Sequence, residues 1–167
     1  MMNGKKIIVI GCPGSGKSVF SRELSNVTGL PLHHLDMMYW LPDKTTVPTE
    51  EFERRLRLVM QGDEWIIDGN YNRTMEWRMC ECDTVFFLDY PRGVCIDGIM
   101  SRMGKRRDDI PWVETEHDAD FLKFVTEFDA ESKPKILALF EKYPEKEVIV
   151  FHSRDEADAY LGAIKSC

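Results

Sequence analysis

The chain has 167 residues, of which 22 are basic and 29 acidic, giving a net charge of −7. That length suggests one domain, residues 1–167, able to bury about 70% of its unfolded surface without covalent staples. The acidic balance argues against broad nucleic-acid or membrane-surface binding. Cys12, Cys80, Cys82, Cys95 and Cys167 are irregularly spaced, with no C-x-x-C pair, so free thiols are expected rather than a zinc or redox site. No leader or membrane-length apolar run is seen, and the expected location is cytoplasmic.

Lys5-Lys6-Ile7-Ile8-Val9-Ile10 is a short β-branched run of the kind that forms a buried parallel strand. It leads into Gly11-Cys12-Pro13-Gly14-Ser15-Gly16-Lys17-Ser18, which fits G-x-x-x-x-G-K-[ST]. Glycines let the backbone approach a ligand closely, successive N–H groups form an anion nest, and a helix starting at about Lys17 adds its positive end. Gly11, Pro13, Gly14, Ser15, Gly16, Lys17, Ser18 and Val19 are the candidate ATP-binding residues. Lys17 is placed to reach the β- and γ-phosphates and Ser18 to ligate Mg²⁺.

Phe20, Leu24 and Val27 follow helical spacing, and Gly29 with Pro31 supplies a stop. Leu32-His33-His34-Leu35-Asp36 reads as a second strand ending in an acid, and residues 37–48 as a loop. Thr49 is the expected cap of a helix whose stripe is Phe52, Leu56, Val59 and Met60, ending at Gly62. Trp65-Ile66-Ile67-Asp68 is the third strand, and a short helix is expected from about Thr74. Val85-Phe86-Phe87-Leu88-Asp89 is the fourth strand. Pro91 opens the next helix, with Ile96, Ile99, Met100 and Met103 on its buried face.

Residues 104–118 are charged and irregular and read as an exposed loop or lid. Phe121, Phe124, Val125 and Phe128 form another helical stripe. Pro134 opens a helix bearing Ile136, Leu139, Phe140 and Tyr143, and Pro144 closes it. Glu147-Val148-Ile149-Val150-Phe151 is the fifth strand. Ser153-Arg154-Asp155-Glu156 is a capping box ahead of a helix that buries Ala157, Tyr160, Leu161 and Ile164.

Alternating strands and helices predict a parallel sheet with right-handed crossovers. The carboxyl ends of its strands then share one edge, where ligands bind. Asp36, Asp68 and Asp89 each end a predicted strand and should lie beside the phosphate loop.

Three stretches together resemble the adenylate kinases: the loop at 11–18, Trp65 to Thr74 with its Asp68-Gly69 and Arg73-Thr74, and Phe87 to Pro91 followed by Arg102 and Arg106-Arg107. More narrowly, His34-Leu35-Asp36 and Trp65 to Tyr71 are similar to the adenylate-kinase-related group named DNA topology modulation proteins. The resemblance implies an α/β, three-layer α/β/α P-loop NTPase fold with a five-stranded parallel sheet in the order 2-3-1-4-5, an acceptor-binding insertion at about 37–62 and a short lid at about 104–118. It implies ATP-dependent phosphate transfer to a nucleotide or similar small acceptor. The Thr-and-Arg pair with which adenylate kinases hold AMP has no counterpart after Asp36, and Arg54, Arg55 and Arg57 are the only substitutes. The lid has no paired cysteines, so a zinc-bound lid is not expected.

Phosphoryl transfer needs alignment and charge neutralisation. Lys17, Arg73, Arg102 and Arg106 are the candidate catalytic cations: Arg73 to bridge donor and acceptor or, alternatively, to form a surface salt bridge, and the other two arginines, one helical turn apart, to clamp ATP from the lid or, alternatively, to lie on a solvated face. Ser18 and Asp68 are the candidate metal residues, Asp68 orienting metal-bound water or, alternatively, capping a helix. Asp36, Tyr39, Trp40, Asp68 and Arg73 are the candidate acceptor residues. Asp36 binds the acceptor, contacts metal water or acts as a base, the alternative being turn chemistry. Tyr39 and Trp40 stack on an acceptor or pack in the core. Asp89 caps the next helix or braces the loop, and His33 and His34 read as structural. The expected partners are ATP and a small acceptor. A competing reading is an ATP-binding regulatory or DNA-topology-associated protein with little turnover, although no helix-turn-helix signal is present. A GTPase reading lacks an Asn-Lys-x-Asp element.

Overall fold

The computed structural model describes residues 4–115, 123 and 125–166. Phe121 and Phe124 of the predicted stripe, positions 116–118 of the predicted lid, and Cys167 lie outside the described residues.

Five strands, β1 (Lys6–Gly11), β2 (Leu32–His34), β3 (Trp65–Asp68), β4 (Thr84–Leu88) and β5 (Glu147–Phe151), form one parallel sheet in the order β2-β3-β1-β4-β5. β1 is central because its run Ile7-Ile8-Val9-Ile10 is fully buried, which only an interior strand covered on both faces allows. β3 and β4 flank it with the equally buried Trp65-Ile66-Ile67 and Val85-Phe86-Phe87-Leu88. Each such side chain contributes roughly 1.5–3 kcal/mol on burial, so the middle of the sheet is the firmest part of the molecule.

The helices are α1 (Lys17–Thr28), α2 (Leu35–Tyr39), α3 (Thr49–Met60), α4 (Asn72–Glu81), α5 (Arg92–Arg102), α6 (Lys133–Lys142) and α7 (Arg154–Lys165), with a π-helical turn at Phe128–Ser132 running into α6. α1 leaves β1 toward β2, whereas α4 carries the chain from β3 past β1 to β4. Right-handed crossovers therefore put α1 and α4 on opposite faces. α1 packs with α7, and α4 with α3, as that division requires. The chain thus reverses direction at β1, and its carboxyl end is the topological switch point.

Several boundaries differ from those expected. β2 stops at His34, and residues 35–39 form a helix rather than strand and loop, so Asp36 sits in the first turn of α2. Thr49 is the first residue of α3 and not its cap; Pro48 precedes it with no side-chain cap. α4 starts at Asn72, after Tyr71 at φ 39°. On α5 the buried residues are Cys95 and Ile99, while Met100 is 47% exposed, because the helix is turned to seat Cys95 against the loop after β1. Asp89 caps nothing: it pairs with Lys133 at 2.8 Å, and α5 has no side-chain cap. The expected capping box of α7 forms by half: Ser153 Oγ accepts from the Glu156 amide at 3.3 Å, while Glu156 Oε2 accepts from the amide of His152, one residue before the cap, at 2.8 Å.

Candidate functional site

The loop after β1 opens a cavity of about 990 Å³ at the carboxyl edge of the sheet. Gly14 has φ +82°, and a Cβ there would collide with the Cys95 carbonyl, so the loop can lie this close to α5 only with glycine. Gly16, at φ +89°, precedes α1, which has no side-chain cap and no acid in its first turn. The first-turn amides of α1 are therefore left for a ligand. Pro13, Gly14, Gly16, Lys17, Ser18 and Val19 line the cavity; Gly11 and Ser15 stand behind it. Ser15 is 1% exposed, and its Oγ has no hydrogen-bond partner.

Lys17 Nζ donates to the carbonyls of Gly11 at 3.1 Å and Cys12 at 3.2 Å. Burial lowers its pKa, against the pull of Asp68 and Asp36. Ser18 Oγ lies 2.8 Å from Asp68 Oδ2 and 2.8 Å from Asp109 Oδ2. Asp68 is buried at the end of β3, where His34 Nδ1 meets the same Oδ2 at 2.7 Å. His34, expected to be structural, is thus the residue that orients Asp68.

Asp36 lines the same cavity, and Tyr71 donates its hydroxyl to Oδ1 at 2.5 Å. Burial raises the Asp36 pKa, with Asp68 and Asp109 adding to it and Tyr71 and Lys17 opposing. Tyr39 and Trp40 both line the cavity and pack: their rings meet edge-on at 5.2 Å, Tyr39 touches Phe52 and Tyr71, and Trp40 touches Trp112. The two sequence alternatives for this pair are compatible.

The predicted arginines separate. Arg73 does not line the cavity; it is 71% exposed and pairs with Glu53 at 3.0 Å, because it lies on the side of α4 that faces α3. Arg102 lines the cavity and pairs with Glu114 at 3.1 Å. Arg106 also lines it but lies beyond the end of α5, with Met103 extended between them, so the two do not share a helix face. Segment 104–115 is not simply exposed. Gly104 N donates to Glu114 O at 2.6 Å, Arg107 grips both Asp109 and Glu114, and Asp109 and Ile110 are buried. Burial would raise the Asp109 pKa, but the hydrogen bonds and charge of Arg107, with the bond from Ser18, hold it at about 2.

Asp109, Asn70, Arg78 and Arg154 were not singled out from sequence. Asn70 bridges to the Gly11 backbone. Arg154 Nη2 donates to Gly14 O at 3.2 Å. Arg78 is fully buried and donates to the carbonyls of Gly69, Asn70 and Tyr71, holding the turn between β3 and α4. Its one legible signal is a charge between the buried Met75 and Met79 on the same helix.

ATP and Mg²⁺ fit these residues. The orphaned Ser15 Oγ and uncapped amides suit a phosphate chain. Ser18 with carboxylates is a hard-oxygen set, and Mg²⁺ characteristically takes one or two carboxylates plus substrate phosphates. Among the described residues no group of three or more His, Cys, Asp or Glu side chains could hold a metal by itself.

A parallel sheet in the order 2-3-1-4-5 with this loop at its switch point defines a three-layer P-loop fold. It superposes on shikimate kinase from Acinetobacter baumannii in complex with shikimate (TM-score 0.62, 15% identity, 98% of this chain and 94% of that one). It also superposes on shikimate kinase from Bacteroides thetaiotaomicron (TM-score 0.60, 15% identity, 98% and 97%). In sequence the chain is similar to adenylate kinase from Thermotoga maritima, 27% identical over 106 residues, 59% of this chain and 47% of that protein. It is 25% identical over 119 residues to adenylate kinase from Thermosipho melanesiensis, 67% of this chain and 54% of that one. The chain thus spans about half the length of the curated relatives it matches. No family model matches it. No helix among the described residues is long and apolar enough to cross a membrane.

Proposed function

We propose that the protein is an ATP-dependent phosphotransferase of the nucleotide and nucleoside kinase type, and that its small acceptor presents a hydroxyl. The observation that carries this reading is that Lys17, Ser18, Asp68 and Asp36 line one cavity with Tyr39 and Trp40. The hydroxyl oxygen would attack the γ-phosphorus, the bond to the β-bridging oxygen would break, and ADP would leave. The proton would pass to the Asp36 carboxylate, whose Oδ1 is already engaged by Tyr71. Lys17 and the loop amides would hold the phosphates, and Arg102 and Arg106 would meet them from the lid side. Bound Mg²⁺ would offset phosphate charge, held through Ser18 and Asp68.

A hydroxyl suits the acceptor better than a second phosphate. Arg54 and Arg55 are paired with Glu51, Arg57 stacks on Trp77 at 4.1 Å, and Arg73 is on Glu53, and none of the four lines the cavity. The finer likeness to the DNA topology modulation group rests on the stretches around His34-Asp36 and Trp65-Tyr71. Salt-dependent DNA binding by this acidic chain would be its test.

ADP release should be measured with ATP, Mg²⁺ and a series of nucleosides, polyols and nucleoside monophosphates. Turnover with a hydroxyl acceptor is expected. Asp36→Asn should lower kcat by about 10²–10⁴ and Lys17→Ala should lose ATP binding with the fold intact. ATP binding without acceptor-dependent ADP release would overturn the reading in favour of a regulatory nucleotide-binding protein.

A further inference from the structure

We propose that Asp109 is a metal-site residue: carried by segment 104–115, it joins Ser18 and Asp68 around Mg²⁺ and so ties this segment to the bound nucleotide. The inference rests on the phosphotransferase reading and adds to it a residue outside the phosphate loop and the β3 acid.

The argument begins with protons. The Ser18 hydroxyl carries one hydrogen, yet Asp68 Oδ2 and Asp109 Oδ2 each stand 2.8 Å from its oxygen. It can donate to only one of them. The other contact sets a lone pair against a lone pair. Both carboxylates are almost fully buried, at 4% and 3% exposure, where two oxygens in contact with no hydrogen between them are costly. Each acid has a partner of its own, His34 Nδ1 at 2.7 Å from Asp68 Oδ2 and Arg107 on Asp109, and Lys17 Nζ is committed to the Gly11 and Cys12 carbonyls, so none of these relieves the contact at Ser18. What the arrangement lacks is a small cation accepting three oxygens: a hydroxyl and two carboxylates. Together with phosphate oxygens and water, that is a set Mg²⁺ accepts.

A merely structural Asp109 would need only Arg107. The extra reach to Ser18 is what a brace within the segment does not explain. The segment is built to hold that position: Glu114 receives Arg102, Arg107 and the Gly104 amide, Arg22 pairs with Asp108, and Trp112 packs on Trp40.

The test uses Mn²⁺ as the probe, titrated into the full chain saturated with ADP, with free metal read by electron paramagnetic resonance. Asp109→Asn should weaken Mn²⁺ binding by at least about tenfold, the lower end of what losing even an outer partner of a metal costs. ADP affinity without metal should be unchanged, and Asp109→Glu should recover part of the loss. Asp63→Asn, the same charge change at an exposed position outside the cavity, should bind Mn²⁺ as wild type does. Equal Mn²⁺ affinity in wild type and Asp109→Asn, or tighter binding in the variant, overturns the proposal while leaving the kinase reading standing. Wild-type protein that binds no ADP overturns both. If Asp109→Asn does not fold, hydrogen exchange of wild type decides. Mg²⁺ added to the ADP complex should slow exchange in 104–115, and an unchanged rate there refutes the inference.

Discussion

Asn70 and Gly11 are joined at two points. Asn70 Nδ2 donates to the Gly11 carbonyl at 2.7 Å, and Asn70 Oδ1 accepts from the Gly11 amide at 3.1 Å. The amide side chain thereby pairs with the end of β1 as another strand would, and locks the turn after β3 to the start of the phosphate loop. Asn70→Asp keeps the acceptor but replaces the donor with a carboxylate facing a carbonyl. We expect it to cost about 1–3 kcal/mol in urea unfolding and to weaken ATP binding, whereas Asn70→Gln should cost stability without adding charge repulsion. Unchanged unfolding and ATP affinity in Asn70→Asp would show that the loop holds its shape unaided.

Arg78 supplies donors to three consecutive backbone carbonyls from a fully buried position. Burial lowers its pKa to about 10, so it remains charged at neutral pH. Arg78→Met fills the space but strands the carbonyls of Gly69, Asn70 and Tyr71. The expected loss is about 3 kcal/mol or more, and Arg78→Lys should recover only part of it, since one ammonium lacks the planar fork. Thermal or urea unfolding of the pair checks this. Equal stability of Arg78→Lys and wild type would contradict it.

Of the two readings open for Arg73 from sequence, the structure shows the surface salt bridge. With its guanidinium on Glu53 and 71% exposed, Arg73→Ala should change kcat/KM less than twofold and stability by under about 1 kcal/mol. Arg102→Ala should lower kcat/KM much more. The same acceptor assay measures both, and a large loss for Arg73→Ala would mean that the α4 start rearranges when substrates bind.

The two acids on either side of Ser18 and Tyr71 have opposite pH signatures. The Asp109 pKa is depressed from 3.8 to about 2, so its contribution to stability is present above the unfolded value and is lost as pH falls from about 4 to 2. The shift corresponds to about 2 kcal/mol. The Asp36 pKa is raised, so its contribution favours the fold at low pH and is lost as pH rises through the folded value. In protein without nucleotide or metal, Asp109→Asn should therefore flatten the fall of unfolding free energy between pH 4 and 2, and Asp36→Asn should steepen it. In the acceptor assay, the acid limb of kcat should lie above 3.8 and vanish in Asp36→Asn.

The sheet, its parallel sense and the phosphate loop were legible from local pattern, because each rests on residues adjacent in the chain. β-branched runs suit interior strands covered on both faces, and glycine stands where the phosphate loop takes positive φ, at Gly14 and Gly16, whereas the positive φ of Tyr71 carried no such mark. The end of β2 was read too long because His34-Leu35-Asp36 has no breaker; the chain turns into α2 to bury Leu35 under Gly69, a contact between distant segments. The lid arginines were placed on one face by helical spacing, which fails once α5 ends at Arg102.

Sequence by itself determined the local frame of the site: a strand, a glycine loop, a lysine and a hydroxyl in fixed order, all set by neighbouring residues. Tertiary structure alone decided which charges meet there. Arg73 and Asp109 look alike on the page, each a charge in a polar stretch, and packing sent one to Glu53 and the other to Ser18. Charge acts through space, over a few ångströms, between residues 91 positions apart, and no periodicity records that distance.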